Sequence, residues 1–201
     1  MTVKPHLGTR GMPRAERESE ILTAALAEFA ERGYHQVTMA SVAARAGVSK
    51  PLVHAYFGTK DSLYIRCVDD VAEEILEAVT PVVDREEPGL AMALETMRTV
   101  FGTLEGLPGR WMVVYDPRIP ADSEAGLAVD KARRRLTELG ATGVRALLHA
   151  RGNHDELDVS GMNALWQAVV TAQVQWWLDH PEQTPEQLTD RFGRLLVALT
   201  P

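Results

Sequence analysis

The sequence predicts an all-α protein, with an N-terminal three-helix helix-turn-helix domain followed by a C-terminal helical domain. Three observations carry this. Apolar residues recur at spacings of three and four in almost every segment. No segment alternates apolar and polar residues convincingly, as a strand would. Breaks rich in glycine and proline divide the 201 residues into pieces of helix length. At 45% apolar residues the chain has enough material for a core.

The elements follow in order. Residues 1–13 carry no continuous apolar segment and read as a flexible arm, whose Lys4 and Arg10, with Arg14 just beyond, are placed to add phosphate or minor-groove contacts. The first helix is expected from about Arg14 to Arg32, with Ile21, Leu22, Ala25, Leu26 and Phe29 as its stripe and Gly33 as its stop. Thr38 stands where an N-cap belongs, before a short helix whose inner face is Val42, Ala43 and Ala46, closed by Gly47. Ser49 caps the third helix and Pro51 falls in its first turn, where a missing N–H costs little. Gly58 ends that helix. Thr59 caps the fourth, with Asp61 complementing its dipole, and the pattern runs on to about Val79 without a linker. Breaks at 86–89, 106–109, 116–123, 152–158 and 180–185 leave helices near 89–105, 122–150, 159–179 and 185–199.

The net charge of −7 is unevenly spread. Residues 1–66 hold nine basic and six acidic residues, a net of +3, whereas 67–201 hold twelve and twenty-two, a net of −10. A basic front and an acidic remainder suit a chain whose N-terminal end meets a polyanion. No apolar run reaches the length of a membrane span, so no membrane partner is expected. No secretory signal is read at the N-terminus. Cys67, the only cysteine, can form no internal disulfide and has no resolving partner, which suits a cytoplasmic location.

The stretch GVSKPLVHAYFGTK at 47–60 concentrates the special residues. Two short helices joined by a tight Gly-Val-Ser turn form a helix-turn-helix. A rod of about seven residues, roughly 10 Å long, fits a major groove about 12 Å wide. Val53 and Phe57, four apart, anchor it from behind. Lys50, Pro51, His54 and Ala55 lie on the opposite side and face the bases. Lys50 and His54 supply hydrogen-bond donors, while Pro51 and Ala55 allow close approach. The Thr38 and Tyr56 hydroxyls, Lys60 and the N–H groups opening the fourth helix suit phosphates.

The span from Ile21 to Leu63 resembles the DNA-binding domain of the TetR/AcrR transcriptional regulators. The resemblance rests on the I-L-x-x-A-x-x-x-F run at 21–29, Gly33-Tyr34, Val37-Thr38-Met39, Val42-Ala43-x-x-Ala46-Gly47-Val48-Ser49, Tyr56-Phe57, Lys60 and Leu63. It implies an all-α homodimer on a palindromic operator of double-stranded DNA, most often a repressor, released by a small-molecule inducer of unknown identity. It implies a DNA-binding domain over 14–60, contacting DNA through Thr38, Ser49, Lys50, Pro51, Leu52, His54, Ala55, Tyr56 and Lys60. It implies a ligand-binding and dimerisation domain over 61–201, with no cofactor. His54 departs from the tyrosine most often found there. Histidine is shorter and titrates near neutrality, so operator affinity is expected to rise as pH falls. Leu52 replaces a usually small or hydroxylated residue, so base preferences do not carry over from relatives.

Beyond that span, Met92, Met97, Phe101, Trp111, Met112, Tyr115, Leu147 and Trp166 are candidates for an inducer cavity, an aromatic–methionine lining suited to an apolar ligand, though each also serves as ordinary core. Trp166, Val169, Val170, Val174, Trp177 and Leu178, with Leu188, Phe192, Leu195, Leu196 and Leu199, form two apolar stripes expected to make a dimer interface, with internal core as the alternative. The cluster at 149–158 has no recognised metal-ligand spacing, and no metal is expected. Arg133, Arg134 and Arg135 read as a solvated helix face paired with neighbouring acids. No nucleophile motif, phosphate-binding glycine loop or catalytic metal spacing appears, so no enzymatic activity is expected. An all-α enzyme and a DNA-binding protein without sequence preference remain the alternatives to a regulator.

Overall fold

The computed structural model describes residues 13–85 and 87–199, with the side chain of residue 199 excepted. The arm with Lys4 and Arg10, and the Leu199 side chain, lie outside the described residues. Helices α1 (Arg14–Gln36), α2 (Met39–Arg45), α3 (Lys50–Phe57), α4 (Lys60–Arg85), α5 (Leu90–Leu104), α6 (Arg110–Tyr115), α7 (Glu124–His149), α8 (Glu156–Leu178) and α9 (Pro185–Leu199) follow one another, with no strand among the described residues.

Helices α1, α4 and α6 differ from the sequence reading, and α8 begins at Glu156, three residues before the expected 159. Helix α1 resumes for one turn beyond Gly33, which itself leaves helical geometry at φ 73°, ψ 162°. Helix α4 passes through Pro81 because Val79 and Val82, on either side, are buried and tertiary packing outweighs the lost hydrogen bond. Helix α6 was not foreseen. Its six residues include two valines and lack a side-chain cap, so burial of Trp111, Val113 and Val114 must hold it together.

The front of the molecule is built from α1, α2 and α3 against the first turns of α4. Ile21, Phe29, Val42, Val53 and Leu63 are buried there, each worth about 1.5–3 kcal/mol. Tyr64 packs edge-on against both Phe29 and Tyr34, at 4.8 and 4.9 Å between ring centres. Its hydroxyl donates to the Val113 carbonyl of α6 at 2.5 Å. Helix α4 then continues between α5 and α7 and α9 packs on α5, so the front shares one continuous core with the rest.

Candidate nucleic-acid interface and ligand cavity

The α2 helix is fixed first. Thr38 Oγ1 accepts from Ser41 N at 3.1 Å, and Ser41 Oγ accepts from Thr38 N at 3.1 Å, a reciprocal capping box. Glu28 of α1, buried, takes Arg45 Nε at 2.9 Å and Arg32 Nη1 at 3.3 Å. Burial pushes its carboxyl up, but hydrogen bonds from Ser41 and Arg45 and the two arginine charges outweigh this and hold it below the ordinary value. Arg45 also reaches Glu31. The α1–α2 angle is therefore pinned by charge as well as by apolar contact.

On that base α3 lies with Val53 wholly buried and Phe57 half-buried against the core. Ser49, Lys50, Pro51, His54 and Ala55 are exposed, and Leu52 and Tyr56 are half-buried. Ser49 caps by backbone geometry alone, its hydroxyl making no cap bond, so that oxygen stays available. Lys50 makes no ion pair among the described residues. His54 Nδ1 donates to the Gly58 carbonyl at 2.8 Å. In the neutral ring the other nitrogen, Nε2, is then an acceptor. The Arg14 guanidinium sits 5.2 Å over the Tyr56 ring.

Lys60 differs from the sequence expectation of a free phosphate contact. Its ammonium lies 4.1 Å over the Tyr34 ring and donates to the Tyr34 carbonyl at 3.1 Å, so one donor braces α4 against α1. The Tyr34 hydroxyl donates to Asp61, and burial, followed by that bond, pushes it up to about 12.

Behind this front α5, α6, α7, α8, α9 and the far half of α4 line a half-open cavity of about 240 Å³. Met92, Trp111, Leu147 and Trp166 line it as expected. Met97, Phe101, Met112 and Tyr115 do not. On α5 the lining positions are Met92, Ala93, Thr96 and Val100, and Met97 and Phe101 fall on the adjacent face, where Phe101 meets Trp177 edge-on at 5.8 Å. Tyr115 stacks on Trp111 at 4.5 Å and donates to Gln167 Oε1 at 3.1 Å, one residue behind the wall. The sequence reading missed Gly140, Gly143 and Gln167, which do line the cavity. Two glycines inside α7, each costing about 1 kcal/mol in helix propensity, were the available signal for a close approach.

The expected dimer stripe falls mostly inside the chain. Val170, Val174, Trp177, Leu188 and Phe192 are buried, and Trp166, Val169 and Leu196 are half-buried, leaving Leu178 and Leu195 exposed. The reason is rotational. Helix α8 turns Val170, Val174 and Trp177 inward, Leu157, Gly161, Ala164, Ala168 and Ala172 occupy the outer face, and Leu165 stands at the rim of the cavity. Residues 159–178 contain no charged side chain on any face. The triple-arginine segment also divides. Arg134 pairs with Asp130 and Arg135 with Glu73, whereas Arg133 donates to the Val114 and Asp116 carbonyls at the end of α6. In the 149–158 cluster, Asp155 caps α8 by accepting from Leu157 N. Cys67 is buried, which pushes its thiol up and away from reactivity.

Residues 21–67 match the family described as bacterial regulatory proteins, tetR family. The chain is 36% identical over 145 residues to the HTH-type transcriptional repressor Rv3405c of Mycobacterium tuberculosis (strain ATCC 25618 / H37Rv), covering 66% of this chain and 77% of that protein. It is 38% identical over 80 residues to the HTH-type transcriptional activator FasR of Mycolicibacterium smegmatis (strain ATCC 700084 / mc(2)155), covering 38% of this chain and 36% of that one. The match to FasR thus spans about a third of that relative's length. A TetR-like transcriptional regulator from Rhodococcus sp. RHA1 superposes with a TM-score of 0.68 at 26% identity, over 92% of this chain and 95% of that one. With the capped α2, the braced α3 and an all-helical body, this chain belongs to the TetR family of bacterial regulatory proteins.

Proposed function

We propose that this protein is a ligand-responsive, cytoplasmic transcriptional repressor that binds a palindromic operator as a homodimer. The observation that carries the reading is the exposed row Lys50, Pro51, His54 and Ala55 on a helix whose back is anchored by wholly buried Val53. One α3 enters the major groove of each half-site. Lys50 meets base edges or phosphates, His54 accepts from a base-edge amino group, Pro51 and Ala55 give apolar surface to thymine methyls, and the Thr38, Ser49 and Tyr56 hydroxyls hold phosphates. Residues 14–60 form the DNA-binding unit, and 61–201 the ligand-binding and dimerisation unit.

The two-fold assembly uses the outer face of α8, with Leu195 of α9 beside it. A helix uncharged from 159 to 178 and half exposed, with Leu157 at 81% and Leu165 at 65%, is stable when another surface covers it.

Regulation runs through α6. Its Trp111 walls the cavity, and the glycine before it, Gly109, lies so close to Ala30 of α1 that an added methyl would stand 3.2 Å from the Ala30 methyl. An inducer that favours a different position of Trp111 shifts α6, α1 and hence the spacing of the two α3 helices. It acts only through its differential affinity for the two arrangements.

The test is binding to the promoter beside the protein's own gene with non-specific competitor present. Specific retention and a symmetric footprint are expected. Equal competition by unrelated DNA would leave only binding without sequence preference.

A further inference from the structure

Resting on the reading of α3 as the groove helix, we propose that a strained glycine turn at Gly58 makes His54 a specificity residue for one chemical group. That group is the exocyclic amino group of adenine or cytosine. The choice is one of tautomer. A neutral imidazole carries one N–H donor and one bare acceptor, and the nitrogen that the protein engages decides the role of the other.

Gly58 joins α3 to α4 through a three-residue turn. Thr59 N donates to the Phe57 carbonyl across it at 2.9 Å, and Gly58 stands at φ 70°, ψ −78°. This is the γ-turn of positive φ, a rare and strained conformation. Space does not demand glycine there, since a methyl group built on Gly58 meets nothing within 4 Å. Backbone geometry does. The strain has a visible product. The Gly58 carbonyl points back to the His54 ring and accepts from Nδ1 at 2.8 Å, while Gly58 N donates to the His54 carbonyl, also at 2.8 Å. Ring and turn are thus locked to each other by two bonds. A carbonyl oxygen has no proton to give, so Nδ1 carries the hydrogen. Nε2 is left as a lone pair on an exposed side chain, without a hydrogen-bond partner among the described residues.

A lone pair cannot donate, which removes several common contacts. A phosphate oxygen is itself an acceptor, so the neutral ring does not clamp the DNA backbone. In the major groove guanine offers N7 and O6, both acceptors, and thymine offers O4 and a methyl group. The donors there are the N6 amino group of adenine and the N4 amino group of cytosine. His54 therefore reads an amino group. Lys50, one helical turn earlier, is a donor only and takes acceptors. Helix α3 presents the two opposite functions one turn apart on a single exposed row.

The experiment first selects operators from random duplexes with the full chain at pH 8. Comparison with His54→Phe then identifies the base pair whose discrimination depends on the ring. At that pair three changes are made singly. Purine for adenine, or 2-pyrimidinone for cytosine, deletes the amino group. A 7-deaza purine deletes N7. A methylphosphonate neutralises the flanking phosphate. Deleting the amino group should weaken wild-type binding about tenfold and leave His54→Phe unaffected, while the other two changes should act equally on both proteins. Nitrogen-15 NMR of the free protein should show Nδ1 protonated and Nε2 bare at His54. In Gly58→Ala, whose side chain opposes the turn, sensitivity to the amino group should disappear. Should that variant fail to fold, the base analogues and the NMR spectrum carry the test. An Nε2–H tautomer, coupling of His54 to N7 or to the phosphate, or no base pair that depends on the ring would overturn the inference and leave the regulator reading standing. Amino-group sensitivity kept in a folded Gly58→Ala would overturn the part played by the turn. Selection that enriches no sequence would remove the regulator reading and this inference with it.

Discussion

The Arg118 guanidinium lies across the backbone of Gly33, so close that a methyl group built on that glycine would overlap its Nη2. Asp116, buried, holds the guanidinium through Nε at 2.8 Å and Nη2 at 2.9 Å. The Arg118 carbonyl meets His35 Nε2 at 3.0 Å. The loop after α6 thus grips α1 at its kink. Gly33→Ala is expected to destabilise the protein by about 2–3 kcal/mol, read as a fall in denaturation midpoint. Its φ of 73° with ψ of 162° is open only to glycine. The overlap adds less, since the Arg118 tip is exposed and free to shift once it leaves Asp116.

Acid should loosen the α1–α2 brace. The Glu28 carboxyl is held below its ordinary value of 4.5. A depressed carboxylate contributes stability that is complete above that value and is lost as pH falls through the lower folded value. Denaturation midpoints measured from pH 7 to 3 should therefore drop below about pH 4.5. Glu28→Gln should cost about 1.5 kcal/mol at pH 7 and flatten part of the acid slope.

On DNA, Lys50→Ala should cost about 1–3 kcal/mol of operator affinity. His54 gives a second test. With Nδ1 committed to Gly58, the neutral ring offers only an acceptor to the groove. His54→Phe, which removes that acceptor, should weaken operator binding measured by fluorescence anisotropy. Unchanged affinity in His54→Phe would remove His54 from the interface.

Ala168→Arg places a charge at the middle of the outer α8 face while leaving the cavity wall untouched. Sedimentation at micromolar concentration should change from dimer to monomer, with far-UV helicity preserved. A dimer that persists would move the interface elsewhere.

Much of the front was legible because its signals are local. The Thr38 cap, the Gly47 turn and the Val53–Phe57 pair are each written within four residues. What lay beyond reach was non-local. Periodicity finds an apolar stripe but does not say which neighbour it meets. Trp177 and Phe192 were thus assigned to an interface when they fill the chain's own core. Helix α8 is uncharged on every face from 159 to 178, so its inner and outer faces cannot be told apart without α7 in place. Lys60 and Arg133 looked like surface cations because their partners, the backbone carbonyls of Tyr34 and Val114, carry no sequence signature. The close packing of Asn163 and Gln167 over Gly140 joins positions more than twenty residues apart.

Helix α4 is one 26-residue rod, about 39 Å long. Leu63, Tyr64 and Val68 belong to the front, while Ile75, Val79 and Val83 wall the cavity. The two ends are locked in rotational phase. One residue inserted near Glu73 would turn the body about 100° relative to the reading head, and seven would nearly restore the phase while lengthening the rod by about 10 Å. Anyone grafting this sensor onto a different head must therefore keep the helical register through the splice, whatever the two halves have in common.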